Sequence, residues 1–285
     1  MSSLVSVICL CYNHAKYVVE ALNSVLAQTY PHIEIIIVDD FSTDTSREVI
    51  TEFIKTHPDI HFIQNPYNYG NCKAFNLGLE HCKGEFIIDF AADDLMHPEK
   101  IEKQVKAFSE SGPETGVVHH DARIVDESGT PVYLHSVMVH KILKRSIPNG
   151  IIFKDLLKYY FVNSPSMMIR KQVFEELNGY DETLSYEDFD FWIRSARKWE
   201  YQYLPEVLMT IRKLPNSMSA RVSGWRKRHA KSTLIVCEKA LGMGLNLDEK
   251  RALRFRLMYE IKQSIMGLNF NHTLHLLKIL LKTLQ

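Results

Sequence analysis

The fold is decided by residues 5–46, which read VSVICLCYNHAKYVVEALNSVLAQTYPHIEIIIVDDFSTDTS. Residues 5–11 and 33–38 are continuous apolar runs, which are typical of strands covered on both faces. Between them, residues 16–28 carry apolar side chains at helical spacing. A strand, a helix and a second strand in this order indicate a parallel sheet.

The alternation of strands and helices continues to residue 111. Further helices are predicted at residues 46–56, 73–82 and 98–111, and short strands at residues 61–64 and 86–90. Such alternation predicts an α/β fold with a doubly wound sheet. In open sheets of this kind, ligands bind outside the carboxyl ends of the strands.

The second half of the chain has a less regular pattern. We predict strands at residues 117–125, 131–137, 164–169 and 201–212, a helix at 171–180 and another capped by Ser185; residues 141–160 stay unassigned. After residue 220, two or three helical segments follow, interrupted near GMGLN and GLNFN. We expect a main domain over residues 1–220 and a helical appendage over residues 221–285.

The composition is that of a soluble globular protein. Hydrophobic residues make up 46% of the 285 residues and charged residues 24%. The formal net charge is zero, which gives no argument for nucleic acid as a partner. The charge is nevertheless uneven, because residues 221–285 contain 13 Lys and Arg against 4 Asp and Glu.

The cysteines and the N-terminus indicate the compartment. The five cysteines form no CxxC pair and no zinc spacing, which favours reduced thiols in a cytosolic protein. The apolar run at residues 4–11 lacks a basic flank and a small-residue cleavage site, and it is too short to span a bilayer. We therefore expect a cytoplasmic protein, with contact at the inner face of the plasma membrane left open.

Acidic residues follow the second strand. Asp39, Asp40 and Asp44 could simply end the strand and cap the next helix, and for Asp44 this interpretation is favoured. Asp40, however, lies beside the end of the first strand. Its carboxylate could accept the imide N–H of uracil or thymine while Tyr12 stacks on the base.

A second acidic pair, Asp93–Asp94, ends the strand in EFIIDFAADDLMHPEK, residues 85–100. The pair could be a polar turn before a helix. It could equally be an oxygen-rich site for Mg²⁺ or Mn²⁺, completed by diphosphate oxygens. A bound divalent ion would offset the repulsion between the two carboxylates.

Two further candidates have an ordinary structural explanation as well. Glu187 and Asp188 suit the first turn of a helix, but a carboxylate here could also act as a general base toward an acceptor hydroxyl. Lys73 could contact phosphate or could be a solvated lysine at a helix start.

These pieces together resemble the family-2 glycosyltransferases, inverting enzymes with the GT-A fold, over about residues 5–220. Residues 5–46 resemble the N-terminal signature of that family throughout their length. Three later segments match in order: KGEFIIDFAADDLMHPEKIEKQ, NGYDETLSYEDFDFWIR and PEVLMTIRKLPNSMS. The resemblance implies a mixed GT-A sheet and a nucleotide-sugar substrate.

The resemblance assigns a role to each candidate. It implies that Tyr12 and Asp40 hold a uracil or thymine ring beside the backbone near Leu10, and that Lys73 stabilises the diphosphate. Asp93 would contact the ribose or the metal, and Asp94 would be the main ligand for Mn²⁺ or Mg²⁺. Asp188 would be the catalytic base, supported by Glu187 and Asp190.

The implied reaction is a single in-line displacement with inversion at the anomeric carbon. The donor would be a UDP- or dTDP-sugar, and the acceptor a hydroxyl of a glycan or lipid-linked glycan in bacterial cell-surface polysaccharide synthesis.

Two departures from the family pattern keep an alternative open. Ala91 stands where many members carry the first carboxylate of a D-x-D, and Leu214 where many carry a histidine. The chain could therefore be a catalytically impaired binding or partner subunit. Other classes fit less well: the length exceeds that of a bacterial receiver domain, and no GxGxxG follows the first strand.

The basic appendage carries a separate hypothesis. Segments such as WRKRHAKSTLIV and HTLHLLKILLKTL combine cationic residues with apolar faces. Residues 222–285 could pack on the main domain, contact a second copy in a homo-oligomer, or bind a membrane surface.

Overall fold

The computed structural model describes residues 3–215 and 224–284, and for residues 224–228 it describes the helical backbone only. The first half alternates strictly between strands and helices. Its elements are β1 (Val5–Cys11), α1 (Val18–Leu26), β2 (Ile33–Asp39), α2 (Ser46–Ile54), β3 (His61–Gln64), α3 (Asn71–Leu79), β4 (Phe86–Ala91), β5 (Leu95–Met96) and α4 (Lys100–Glu110).

The second half has a long strand pair followed by helices. Its elements are β6 (Thr115–Val125), β7 (Pro131–Leu134), α5 (His135–Leu143), α6 (Phe153–Lys158), β8 (Met168–Arg170), α7 (Lys171–Leu177), α8 (Asp188–Ser195), β9 (Glu200–Arg212), α9 (Gly224–Leu241), α10 (Leu247–Met266) and α11 (Phe270–Lys282).

One mixed sheet organises the described residues, with strand order β3-β2-β1-β4-β8-β6-β9-β5 and β7 beside β6. β3, β2, β1 and β4 are mutually parallel, as the alternating pattern predicts. β8 is antiparallel to β4 and to β6, whereas β9 is parallel to β6. The predicted α/β class with a GT-A type mixed sheet and C-terminal helices is confirmed.

Helices cover both faces of the sheet, and alternate residues of each strand supply the two cores. On one face, Val7 and Cys9 of β1 pack with α1 and α4. On the other face, Ile8 packs with α3, α6, α7 and α8. β1, β2 and β4 therefore contribute side chains to both cores, which explains their nearly continuous apolar sequences.

The C-terminal helices α9–α11 continue the second of these cores. Val236, Leu253 and Leu276 belong to the same buried cluster as α3 and α8. Hydrogen bonds reinforce this contact, because the Tyr186 hydroxyl lies 2.7 Å from Thr233 Oγ1. Among residues 3–215 and 224–284, no helix is both long and apolar enough to span a bilayer.

Three local predictions were wrong. Residues 135–137 begin α5 instead of extending a strand, because the Asp121 carboxylate accepts the N–H of Ser136 at 2.8 Å and ends the β7 pairing. Residues 164–166 form a 3₁₀ turn before β8. The helix after Ser185 begins at Asp188, since Ser185 hydrogen-bonds Ser232 of α9 instead of capping it.

Candidate active site

The carboxyl ends of β1, β2 and β4 meet at one edge of the sheet. Leu10 pairs with Val38 on one side and with Ala91 on the other. The N–H of Asp40 donates to the Cys11 carbonyl, and the N–H of Ala92 donates to the Leu10 carbonyl, each at 2.9 Å. The segments that carry Tyr12, Asp40 and Asp93 are therefore neighbours, as parallel pairing requires.

At the β1–β2 side of this edge, Asp40 holds the loop at residues 65–70 by hydrogen bonds. We call this part of the site the Asp40 corner. Its Oδ1 accepts from Asn65 Nδ2 at 2.8 Å and from the Tyr69 N–H at 2.9 Å, and its Oδ2 accepts from the Gly70 N–H at 2.8 Å. A carboxylate offers about four acceptor positions, so Oδ2 retains one. Tyr12 lies beside it with 39% of its surface exposed, which leaves an aromatic ring available for stacking.

Lys73 lies close to the same loop. It stands in the first turn of α3, and its Nζ is 4.5 Å from the centre of the Tyr69 ring. Because the Tyr69 N–H donates to Asp40, the lysine is tied to the Asp40 corner. Its ammonium contacts an aromatic face in a cation–π geometry.

The acidic pair Asp93–Asp94 forms a second corner, held in place by β9. Both side chains are buried. Asp94 Oδ1 accepts the N–H of Arg212 at 3.0 Å, and Arg212 Nη1 donates to the Asp93 carbonyl at 2.7 Å. Burial and then the charge of Asp93 hold the pKa of Asp94 well above its usual range, and Arg212 opposes that rise.

A histidine that the sequence analysis did not single out also reaches this corner. His14 Nε2 lies 3.8 Å from Asp93 Oδ2, and its Nδ1 is buried without a hydrogen-bond partner among the described side chains. His14 follows β1 in the same loop as Tyr12. Leu214 does not supply an imidazole, but His14 brings one to the acidic pair from the loop after β1.

The chemistry of the acidic corner suits a divalent cation only in part. Asp93 and Asp94 supply the oxygen ligands that Mg²⁺ and Mn²⁺ prefer, and a cation would relieve their burial and repulsion. In the described parts of the chain, however, no group of three or more His, Cys, Asp and Glu side chains is arranged to hold a metal. The corner therefore fits an ion that takes its remaining ligands from the nucleotide and water.

A third corner contains Glu187 and Asp188 at the start of α8. Glu187 Oε2 accepts from Asn71 Nδ2 at 2.8 Å, which links this corner to the start of α3. Asp188 is half-buried, and its Oδ1 has no hydrogen-bond partner within residues 3–215 and 224–284. Asp190 lies elsewhere, since it pairs with Arg194 and with Lys239 of α9 at 2.6 Å each.

Burial perturbs both carboxyl groups of this corner. It holds the pKa of Glu187 well above its usual range, and the charges of Asp188 and Asp89 add to the effect. Burial also raises the pKa of Asp188. The side chains of Ser164 and Glu187 lower this pKa but do not cancel the rise. Groups with raised pKa values in a shared pocket are typical of acid–base sites.

Asp89 is a third carboxylate of this corner, and the sequence analysis missed it. It lies on β4, on the same face as Ala91, and the Tyr180 hydroxyl donates to its Oδ2 at 3.2 Å. Burial raises its pKa to about 7; the Tyr180 bond opposes this, and the charge of Asp188 adds to it. The signal in the sequence was a charged residue inside an otherwise apolar strand, FIIDFA.

Asp89 should cost stability as the pH rises. Its folded pKa is about 7 against an ordinary 3.8, so the penalty grows from pH 4 upward and is complete above pH 7. Asp89→Asn removes the charge and keeps an oxygen that can accept from Tyr180. We expect the free energy of unfolding to increase by about 2 to 4 kcal/mol at pH 8 and by much less at pH 4.5.

Urea unfolding at the two pH values measures this effect. Asp59→Asn is the matched control, because Asp59 is exposed in the loop before β3 and its replacement should change stability little at either pH. An equal gain from Asp89→Asn at pH 4.5 and pH 8 would show that the Asp89 carboxyl is not desolvated.

Comparison with known proteins agrees with this geometry. The family model described as Glycosyl transferase family 2 matches residues 6–177. A Bacillus subtilis glycosyltransferase named for teichuronic acid biosynthesis, TuaG, is 28% identical over 220 residues, which are 76% of this chain and 82% of TuaG. Some other curated glycosyltransferases are much longer, and the matches cover 27% and 36% of two of them, from Rickettsia bellii and Rickettsia felis.

Two solved structures share the fold. Staphylococcus aureus TarS 1-349 in complex with UDP-GlcNAc aligns with a TM-score of 0.69 and 20% identity, over 88% of this chain and 71% of that chain. The mannosyltransferase PcManGT of Pyrobaculum calidifontis, in complex with GDP-Man and Mn²⁺, aligns with a TM-score of 0.63 and 18% identity. That alignment covers 100% of this chain and 88% of PcManGT.

Proposed function

Because the chain belongs to glycosyl transferase family 2, we propose that it is an inverting enzyme that moves a sugar from a UDP-sugar to a hydroxyl of a glycan acceptor. A dTDP-sugar is the second donor class. The observation that carries the proposal is the meeting of three corners at one sheet edge: the Asp40 corner, the Asp93–Asp94 corner and the Asp188 corner.

The Asp40 corner suits a pyrimidine base. Oδ2 of Asp40 keeps an acceptor position after its bond to Gly70, and a uracil or thymine ring presents one imide N–H to it. Tyr12 offers its ring for stacking, and the backbone near Leu10 would lie beside the base. TarS, bound to UDP-GlcNAc on a similar fold, supports a uridine nucleotide at this edge.

The Asp93–Asp94 corner suits the ribose and the diphosphate. Asp94 and Asp93 would hold a divalent ion, which when bound would neutralise charge on the departing diphosphate. The PcManGT complex with Mn²⁺ supports this choice of metal. His14, 3.8 Å from Asp93, and Lys73, beside the Tyr69 ring, would donate hydrogen bonds to the diphosphate oxygens.

The Asp188 corner suits proton transfer from the acceptor. A raised pKa makes the Asp188 carboxylate a stronger base, and its Oδ1 has no partner among the described residues to compete with an incoming hydroxyl. Burial and the charges of Asp188 and Asp89 raise the pKa of Glu187, which favours a proton on Glu187 beside a charged Asp188.

The reaction then needs one displacement. Asp188 takes the proton from the acceptor hydroxyl while the oxygen attacks the anomeric carbon. The bond from that carbon to the diphosphate oxygen breaks on the opposite face, and the nucleoside diphosphate leaves with the electron pair. Attack opposite to the leaving group inverts the anomeric configuration.

The setting of this reaction is also part of the proposal. The similarity to TuaG supports an acceptor in bacterial cell-surface polysaccharide synthesis, either a glycan or a lipid-linked glycan. We place the enzyme in the cytoplasm, with residues 222–285 available for contact with a membrane or a second copy. The catalytically impaired alternative rests on Ala91 and Leu214. It is weakened by Asp89, a carboxylate two residues before Ala91 on β4, and by His14, an imidazole 3.8 Å from Asp93.

A panel of nucleotide-sugars tests the proposal. Thermal unfolding should be delayed by UDP-sugars in the presence of Mn²⁺, less by dTDP-sugars and least by GDP-sugars. Asp40→Asn should reduce the stabilisation by UDP- and dTDP-sugars alike, because one of the two acceptor oxygens that serve the loop and the imide N–H becomes an NH₂ donor. Stabilisation by GDP-sugars alone would contradict the assignment of the Asp40 corner.

A further inference from the structure

The geometry points to a membrane-binding face on α11 and on the turn that precedes it, and we propose that this face docks on an anionic lipid bilayer. The face consists of two parts, the leucine stripe and the apolar turn. The leucine stripe is Phe270, Leu274, Leu277, Leu281 and Leu284. The inference is independent of the proposed chemistry, because it concerns only the surface of the C-terminal helices.

The leucine stripe is exposed although α11 already has a buried face. Thr273, Leu276 and Ile279 pack toward α9 and α10. The stripe residues repeat at intervals of four and three, so those from Phe270 to Leu281 share one side of α11, and Leu284 follows in the turn after the helix. Their exposed fractions are 69% for Phe270, 54% for Leu274, 39% for Leu277, 62% for Leu281 and 62% for Leu284.

The apolar turn extends this surface beyond the helix. At the end of α10 and in the turn that follows it, Ile265, Met266 and Leu268 are 50%, 70% and 75% exposed. They shortly precede Phe270 in the sequence, so exposed apolar side chains continue from the end of α10 into α11. Isolated exposed apolar residues are ordinary, but a set of this size along one helix and the turn before it indicates an interaction surface.

The charge beside the face identifies its partner. The sequence contains no Asp or Glu from residue 261 to residue 285. Lys278 and Lys282 directly follow Leu277 and Leu281 and are exposed, as is Lys262 on α10. An apolar helix face flanked by lysines is the pattern of helices that lie in the interface of anionic membranes.

A second copy of the chain is the other candidate for this surface, since the spacing of the stripe would suit helix pairing. Paired helices of this kind usually match opposite charges beside the seam. Here two stripes packed together would bring lysines near each other, and the segment offers no carboxylate to pair with them. Charge therefore favours lipid phosphate over a second α11.

Vesicle co-sedimentation with the full-length protein tests the inference. We expect binding to phosphatidylglycerol–phosphatidylcholine vesicles and weak binding to phosphatidylcholine alone. The double substitution Leu274→Ser and Leu281→Ser should weaken binding at least about tenfold. Lys278→Gln with Lys282→Gln should remove the preference for the anionic lipid.

Two controls keep the result interpretable. Ile151→Ser removes an apolar side chain that is 61% exposed on another surface, and it should leave vesicle binding unchanged. Light scattering measures the oligomeric state of each variant. The inference would be overturned if the wild type were a dimer that does not bind vesicles and that dissociates when Leu274→Ser and Leu281→Ser are introduced. Equal vesicle binding by all variants would also overturn it. Deleting residues 222–285 is unsuitable, because α9–α11 belong to the shared core.

Discussion

Asp188→Asn is expected to lower kcat by about 10²- to 10⁴-fold, the usual contribution of a positioned general base. The amide cannot take the proton of the acceptor hydroxyl. Donor affinity should stay within about twofold, because Asp188 belongs to the acceptor side of the pocket. Steady-state kinetics together with titration of UDP binding separates the two effects.

The pH dependence adds a second readout. Activity of the wild type should fall as the pH drops through the raised pKa of Asp188, because protonation removes the base. The residual activity of Asp188→Asn should no longer fall over this pH range.

Asp190→Asn is the matched control for Asp188→Asn. Asp190 lies two residues further along α8, but its carboxylate is used by Arg194 and by Lys239 of α9. Its replacement should reduce stability, since Arg194 loses its carboxylate partner and Lys239 keeps only that of Asp181. The kcat of the folded protein should change far less than in Asp188→Asn. Equal losses in the two variants would argue that Asp188 has only a structural role.

Asp94→Asn is expected to reduce kcat/KM by about 10²- to 10³-fold, in line with several kcal/mol of charge stabilisation lost from the diphosphate site. The asparagine oxygen can still accept the N–H of Arg212, so the fold of this corner should persist. Calorimetry gives a readout other than activity. Mn²⁺ should tighten UDP binding by the wild type and should have little effect on UDP binding by the variant.

Glu20→Gln is the matched control for Asp94→Asn. Glu20 accepts from the other end of Arg212, at 2.6 Å from Nη2, and its side chain is 59% exposed. The substitution perturbs the same arginine without touching the carboxylate pair. Loss of the Mn²⁺ effect in Glu20→Gln as well would mean that Arg212 positions the site and that Asp94 is not its main ligand.

Much of the part of the site assigned to the nucleotide-sugar could be predicted from the sequence, because its residues closely follow individual strands. The apolar runs of β1 and β2 predict two parallel strands, and parallel pairing brings the residues after each strand to the same edge of the sheet. Asp40 comes directly after β2, and Asp93 comes two residues after β4, so their common location needed no long-range information. The resemblance of NGYDETLSYEDFDFWIR to the glycosyltransferase family added Glu187 and Asp188, at the start of α8, to the predicted site.

The remainder depends on contacts between distant segments. Arg212 meets Asp93 across 119 positions of sequence, and Tyr180 meets Asp89 across 91. No spacing rule predicts such pairs. The pairing of Ser185 with Ser232 likewise displaced a predicted helix cap, because a tertiary hydrogen bond replaced a local one. Asp89 was detectable in principle, since a lone carboxylate in an apolar strand is costly without a purpose.

The anomeric configuration of the first-formed product tests the central claim most directly. Wild-type protein, Mn²⁺ and the nucleotide-sugar that gives the largest thermal shift would be followed by proton NMR with water as the acceptor. From an α-linked donor such as UDP-N-acetylglucosamine, one displacement promoted by Asp188 should release the β-anomer first, and Asp188→Asn should stop its formation. Release of the α-anomer first would contradict the single-displacement account.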